Sequence, residues 1–294
     1  MSDLNITPEL GLSQFEAFLE GLNVPNNCVL NKPLFKKMFQ EHTGLDAKDK
    51  KALKDDVDKI RWLYTLKPST INIAPFSDDL RDYGELAFLY VELNNTKSAE
   101  RIGHLINRAI PYPLVIFFVH SESKTIEDGI KATGEPDSNL REKQHAKELL
   151  AICLADKRIN KADQAKWVIE ELQLSPWLSL GNVTEIAKVF FNSLNFTSLP
   201  HSNFWQFYQA IMARVQALQC AEISGRFSLV DGLSNGEAAE RQLQKQQLKH
   251  YRQIEQDIKK LRAQIKQAQF SQQVVLNAQI KQQEQRLKQI AETL

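Results

Sequence analysis

Apolar and polar residues recur with different periods along the chain, and each period marks an element. Phe15, Phe18, Leu19 and Leu22 recur at steps of three, one and three, which predicts an amphipathic helix over 7–22. Pro33 opens a second helix with Leu34, Phe35, Met38 and Phe39 on one face, and Gly44 ends it. Asp46 is placed to cap a third, whose stripe is Leu53, Val57 and Ile60. The period then shortens. Thr70, Ile71 and Ile73, between Pro68 and Pro75, suggest a strand over 69–74, and ELAFLYVEL suggests another over 85–93. Ile102, Leu105, Ile106 and Ala109 return to helical spacing over 98–109, and Pro111-Tyr112-Pro113 forbids continuation. LVIFFV follows in a strand over 114–120, so a right-handed crossover between parallel strands is expected. The polar segment 121–144 reads as an insertion, and 146–155 with 167–172 as a hairpin.

Beyond Pro176 the chain becomes helical. Ile186, Ala187, Val189 and Phe190 form one face over 183–192. Phe204, Phe207, Tyr208, Ile211, Val215, Leu218 and Ala221 form another over 203–224, which Gly225 stops. Residues 226–236 read as a linker. In the tail, Tyr251, Ile254, Ile258, Leu261, Ile265 and Ala268 step by three and four, a heptad seam. Leu276, Ile280, Leu287 and Ile290 form a second, with Gln283 in the vacant slot, one residue out of phase with the first. Either one helix about 87 Å long carries a discontinuity, or the chain turns back near 270–273 as a helical hairpin. A seam so narrow must bury its stripe against another helix. The tail is therefore an association element, whose partner is its own second helix, another copy or a different subunit.

Charge sharpens that picture. The 294 residues carry 37 Lys+Arg against 36 Asp+Glu, a net of +1. Residues 237–294 hold eleven basic and six acidic side chains, a net of +5, and sixteen Gln; the first 236 residues carry −4. The total excludes a uniformly basic nucleic-acid binder and leaves room for a basic arm. Three Cys without a CxxC pair make neither a disulfide framework nor a zinc site, and a reduced, cytoplasmic setting is expected. Neither a signal peptide nor a membrane span is expected, because the longest apolar run is far too short.

Strong catalytic motifs are missing: there is no P-loop, dinucleotide fingerprint, zinc-protease helix or nucleophile elbow, and no cofactor is expected. The best acidic set is Asp79, Asp82, Glu85 and Glu92 with Lys97. Carboxylates on adjacent strands can hold Mg²⁺ in a nuclease while a Lys stabilises charge. However, Glu92 lacks the Lys two residues later that such sites use, and Glu85 and Glu92 point to opposite faces of a regular strand. Exposed acids at strand ends are the plainer reading. Lys157, Arg158, Lys161 and Lys166 read as a basic turn able to grip phosphate or an acidic protein surface, partly cancelled by Asp156 and Asp163. His104 and Arg108 share a helix face, with Tyr112 just beyond, and can form a small polar site; a solvated helix edge is the alternative.

Five segments together carry a resemblance: IRWLYTLKPSTINI (60–73), DYGELAFLYVEL (82–93), HLINRAIPYPLVIFF (104–118), DKRINKAD (156–163) and AQFSQQVVLNAQIKQQEQ (268–285). The set is similar to an uncharacterised bacterial domain-of-unknown-function family whose members run nearly this full length. IPYP is its most specific element. That family occurs beside type III-like restriction, DNA-methyltransferase and helicase genes in phage-defence regions. The resemblance implies an accessory protein of such a system and brings no catalytic residues. The expected fold is α+β, with a mixed β-sheet body, flanking helices and a C-terminal coiled coil. Its expected parts are helical 1–62, sheet 63–175, helical 176–225, linker 226–236 and tail 237–294. The expected function is a non-catalytic interaction subunit that assembles through its tail into a homo- or hetero-oligomer, while its body recognises either a partner protein or DNA. The alternative is a metal-dependent nuclease around 82–97.

Overall fold

The computed structural model describes residues 13–42, 44–122, 147–160, 167–230 and 235–294. In chain order the elements are α1 (Gln14–Gly21), β1 (Val29–Leu34), α2 (Lys36–His42), α3 (Ala47–Asp55), β2 (Val57–Leu66), β3 (Phe76–Ser77), β4 (Asp82–Tyr83), β5 (Leu86–Leu93) and α4 (Ala99–Ala109). They continue with β6 (Leu114–Glu122), β7 (Lys147–Ile159), β8 (Trp167–Leu174), β9 (Leu178–Ser179), α5 (Glu185–Ser193), α6 (Phe204–Ser224), α7 (Asn235–Ile265) and α8 (Phe270–Thr293). The main sheet runs β1-β2-β5-β6-β7-β8, with β9 also on β7; β3 and β4 form a separate ribbon. Among the described strands only β5 and β6 pair in parallel, joined by α4 as the expected crossover. The fold is thus mixed α+β with a long helical C-terminal region. No helix among the described residues is long and apolar enough to cross a membrane.

Strands β6 and β7 explain their own composition. Leu114–Val119 and Leu150–Ala155 are buried at every position. Val115, Phe117, Val119, Leu150, Ile152 and Leu154 face one core, under α1, α5 and α6. Leu114, Ile116, Phe118, Ala151 and Cys153 face the other, under α2, α3 and α4. A strand covered on both faces has no solvent side, so the alternation of a one-sided strand disappears. Helix α4 lies so close to β7 that a Cβ on Gly103 would sit 2.7 Å from the Cys153 Sγ.

Three expectations for the first eighty residues are corrected. The helix predicted from Pro33 starts later: Pro33 and Leu34 lie in β1, an edge strand where a residue without an N–H is tolerated. The capped helix over Asp46 is present, but Val57 and Ile60 belong to β2. That strand buries Val57, Ile60, Leu63 and Leu66, every third residue, because its pairing with β5 shifts register between Val57 and Ile60 and again between Trp62 and Tyr64. Bulges reset the alternation and imitate a helical stripe. Residues 69–74 form a Pro68-led turn closed by Thr70, whose hydroxyl accepts from the Lys67 N–H, and not a strand. The N-terminal helix begins at Gln14 with a Ser13–Glu16 capping box; its expected beginning at 7–12 lies outside the described residues. Of the insertion expected over 121–144, Ser121 and Glu122 end β6 and the rest lies outside the described residues.

Helix α6 is buried almost all round, and the tail supplies part of its cover. The tail is a hairpin, turning between Ile265 and Phe270, slightly earlier than the phase slip suggested. At its base Leu248, Ile290 and Leu294 pack on Cys220 and Ile223 of α6. Gln216 donates to the Arg241 carbonyl, Gln219 donates to the Leu174 carbonyl, and Lys245 pairs with Glu171.

The close approach at Gly103 has a measurable consequence. Gly103→Ala adds a good helix former yet should destabilise the protein by about 1–2 kcal/mol, because the new methyl overpacks against Cys153. Chemical denaturation should find the Gly103→Ala/Cys153→Ala double variant no less stable than Cys153→Ala alone. A neutral Gly103→Ala would mean that α4 and β7 separate freely.

Candidate functional site

The acidic set is dispersed by the fold. Asp82 sits on the small β3–β4 ribbon and Glu85 just before β5, while Glu92 lies at the far end of β5. Seven residues of strand separate Glu85 from Glu92 by about 23 Å. Glu92 is already engaged, by Lys59 at 2.8 Å and by the Tyr90 hydroxyl, which donates at 2.9 Å. Asp79 is exposed in the turn between β3 and β4. Among the described residues no group of three or more His, Cys, Asp or Glu is placed to hold a metal ion. The convergence that an Mg²⁺-dependent nuclease requires is not formed by these side chains.

Lys97 instead joins the polar pair predicted on α4. With Asp46, Asp49, Glu100, Arg101, His104 and Arg108 it lines a shallow cleft of about 520 Å³ between α3 and α4. Asp49 is its centre. It is buried, and Arg101 and Arg108 each donate to it at 2.7 Å. Burial alone would push its carboxyl up, but hydrogen bonds and charge from Arg108 and Arg101 outweigh this and hold it below the usual range. Arg108 is thereby committed to fastening α4 to α3, while His104 stays exposed on the outer face. Tyr112 does not line the cleft; its ring packs edge-on against Trp62 at 6.3 Å.

The predicted basic turn is also corrected. Lys157 is only 1% exposed. Its ammonium donates to the Ile110 and Tyr112 carbonyls, both at 2.8 Å. Pro111 and Pro113 break the α4 hydrogen-bond ladder just where these carbonyls emerge, and Lys157 satisfies them from across the sheet. The IPYP element is therefore a buried junction completed by Lys157. Desolvation pushes the Lys157 amine down to about 7. Arg158 is neutralised by Glu170 at 2.7 Å. Lys161 and Lys166 lie outside the described residues.

Sequence reasoning missed a cleft of about 440 Å³ between α1 and the sheet, lined by Lys59, Arg61, Tyr64, Tyr90, Glu16 and Glu148 among others. Lys59, Arg61 and Leu63 alternate as strand residues do, but the bulged β2 hid that signal. Two of the charged groups there are hydrogen-bonded within the fold. Glu148 accepts from the Phe15 N–H at 2.8 Å, and Arg61 donates to Asn31.

The hairpin accounts for most of the predicted association residues. Ile254, Ile258 and Ile280 are buried between α7 and α8, with Leu261, Ile265, Leu287 and Ile290 packed around them. Tyr251 and Leu276 are half-buried. The seam therefore closes within one chain. What the hairpin leaves outside is its tip: Phe270 is 81% exposed, and Val274 and Val275 are also exposed.

A family model described as a domain of unknown function, DUF4391, matches residues 22–287. The chain belongs to this family. No curated protein and no solved structure matches it. The DUF4391 match begins before β1 and ends inside α8, so the family unit includes both the sheet and nearly all of the hairpin.

Lys157 generates a pH signature. Its amine is held near 7 in the folded protein, against about 10.4 when unfolded, so the unfolded chain binds more protons between these values. Stability contributed by the neutral amine is fully present above the unfolded value and is lost as pH falls toward 7. Urea unfolding from pH 6 to 9 should show wild-type stability gaining on that of Lys157→Met above pH 7, by up to about 1.4 kcal/mol per pH unit. Parallel pH profiles would show that Lys157 stays charged.

Proposed function

We propose that this DUF4391 protein is a non-catalytic interaction subunit, in which the sheet body mounts the hairpin and the hairpin tip docks on a different protein. The assembly is a bacterial defence complex of the restriction, methyltransferase or helicase type, as the resemblance of the five sequence segments implies. The observation that carries the reading is the apolar tip. Phe270, Val274 and Val275 stand exposed at the end of a hairpin whose own seam is already filled. Solvent-facing Phe and Val at one tip are unfavourable unless a partner covers them, and each buried side chain is worth about 1.5–3 kcal/mol. A second copy is the weaker candidate for that partner. Lys266 just before the tip and the net +5 of residues 257–289 make two tips brought together repel.

Co-expression with the products of the neighbouring genes tests this. A stoichiometric complex is expected by light scattering, weakened more than tenfold by Phe270→Ser/Val274→Ser. The reading is overturned if no neighbour binds, if the double variant binds equally well, or if the full-length chain alone forms a tip-dependent dimer.

A further inference from the structure

The basic excess of the tail is concentrated far from the body. Residues 257–289 hold seven Lys/Arg and two Asp/Glu, a net of +5. The rest of the tail, 237–256 and 290–294, is balanced at four of each. The whole excess therefore sits on the distal part of the hairpin.

It is also arranged on one side. Lys259 and Arg262 step by three along α7, and Lys266 continues the row in the first residue of the turn. Lys281, Glu284 and Lys288 step by three and four along α8 as a second row. The rows are joined by an Arg262–Glu284 pair at 2.8 Å that crosses from helix to helix. In the antiparallel register this pair sets, Lys259 lies level with the Leu287–Lys288 step and Lys266 with the Ile280–Lys281 step. Like charges are thus set beside one another on a single face. Lys259, Lys266, Lys281 and Lys288 are exposed and have no ion-pair partner among the described residues. Neighbouring Gln residues, including Gln282, Gln285 and Gln289, add uncharged donors.

From this geometry we infer a second binding surface: the two basic rows of the distal hairpin hold the phosphate backbone of duplex DNA. Packed helices lie about 8–10 Å apart, and Lys and Arg side chains extend the span. The two rows can therefore reach phosphates on both sides of a groove about 12 Å wide. Contacts of this kind fix position on the duplex and carry no sequence preference. The rows meet the protein-docking tip only at Lys266, so substitutions at Phe270 and Val274 and substitutions of the row lysines report on the two surfaces separately.

Fluorescence anisotropy with the full-length chain and a labelled 20-base-pair duplex tests the inference. Binding should weaken about 10²–10³-fold between 50 and 200 mM salt, as expected for about four to five phosphate contacts. The Lys259→Gln/Lys266→Gln/Lys281→Gln/Lys288→Gln variant should lose at least 100-fold in affinity at 100 mM salt, flatten the logarithmic salt slope by about 3–4, and keep its circular-dichroism spectrum and melting temperature. Scrambling the duplex sequence should change nothing, and Phe270→Ser/Val274→Ser should bind like the wild type. Absence of binding at 50 mM salt, or a fourfold variant that binds normally, overturns the inference. Binding to polyglutamate but not to DNA also overturns it, and assigns the face to an acidic protein surface.

Discussion

On one face of the sheet, α5 and the hairpin are arranged around the burial of α6. This helix is enclosed by the sheet on one side and by α5 and the hairpin on the others, so even its polar side chains are shielded. Arg214, 2% exposed, donates to the carbonyls of Ser193 and Ser198, and so ties the end of α5 to α6. The Tyr208 hydroxyl shares its one proton between the Leu114 and Ala155 carbonyls and accepts from the Ala155 N–H, which pins α6 across β6 and β7. A helix buried all round needs cover on every face. The hairpin base supplies the last of it, through Leu248, Ile290 and Leu294. The tail is consequently part of the core at one end and an arm at the other.

The sheet meets a parallel demand. Where α4 ends, two prolines leave carbonyls that no helix or strand can satisfy, and the chain meets them with an amine buried in β7. That arrangement is costly for a charged group, and desolvation shifts Lys157 toward its neutral form. Its position beside Cys153, which Gly103 lets α4 approach, makes IPYP, Gly103, Cys153 and Lys157 one packed unit. A motif distinctive in sequence need not mark chemistry. Here it marks a junction where several backbone constraints meet.

Much of the fold was legible because the periods were clean. The β5–α4–β6 crossover, the β7–β8 hairpin, α5 and α6 all follow from spacing and from proline or glycine punctuation. Two of the misreadings share one cause, a local geometry that disguises the period. Bulges gave β2 a period of three, and an edge position let Pro33 sit in a strand. Lys157 misled because charge in a sequence reports on titration and not on depth; only the partners at Ile110 and Tyr112 reveal that it is buried. Gln283 was legible as a flaw in the second seam. Its Oε1 is buried without a hydrogen-bond partner among the described residues, which fits a polar residue that sets helix register at some expense in stability. The α3–α4 cleft was half legible: His104 and Arg108 share a face, but Asp49 arrives from another helix.

The division of charge acquires its meaning from distance. The contacts that hold α7 to the body extend to about Gln256, where Gln253 and Gln256 still flank β8 and α6. From there α7 advances about 14 Å to its end at Ile265, at about 1.5 Å per residue. The Debye length at physiological ionic strength is about 8 Å. The acidic body therefore leaves uncancelled the field at the far end of the rows, around Lys266 and Lys281, which lies beyond a Debye length, and α6 holds the base of the hairpin fixed. A chain that is neutral in sum can in this way present a local charge of +5 to a polyanion, and still avoid the indiscriminate adhesion of a uniformly basic protein.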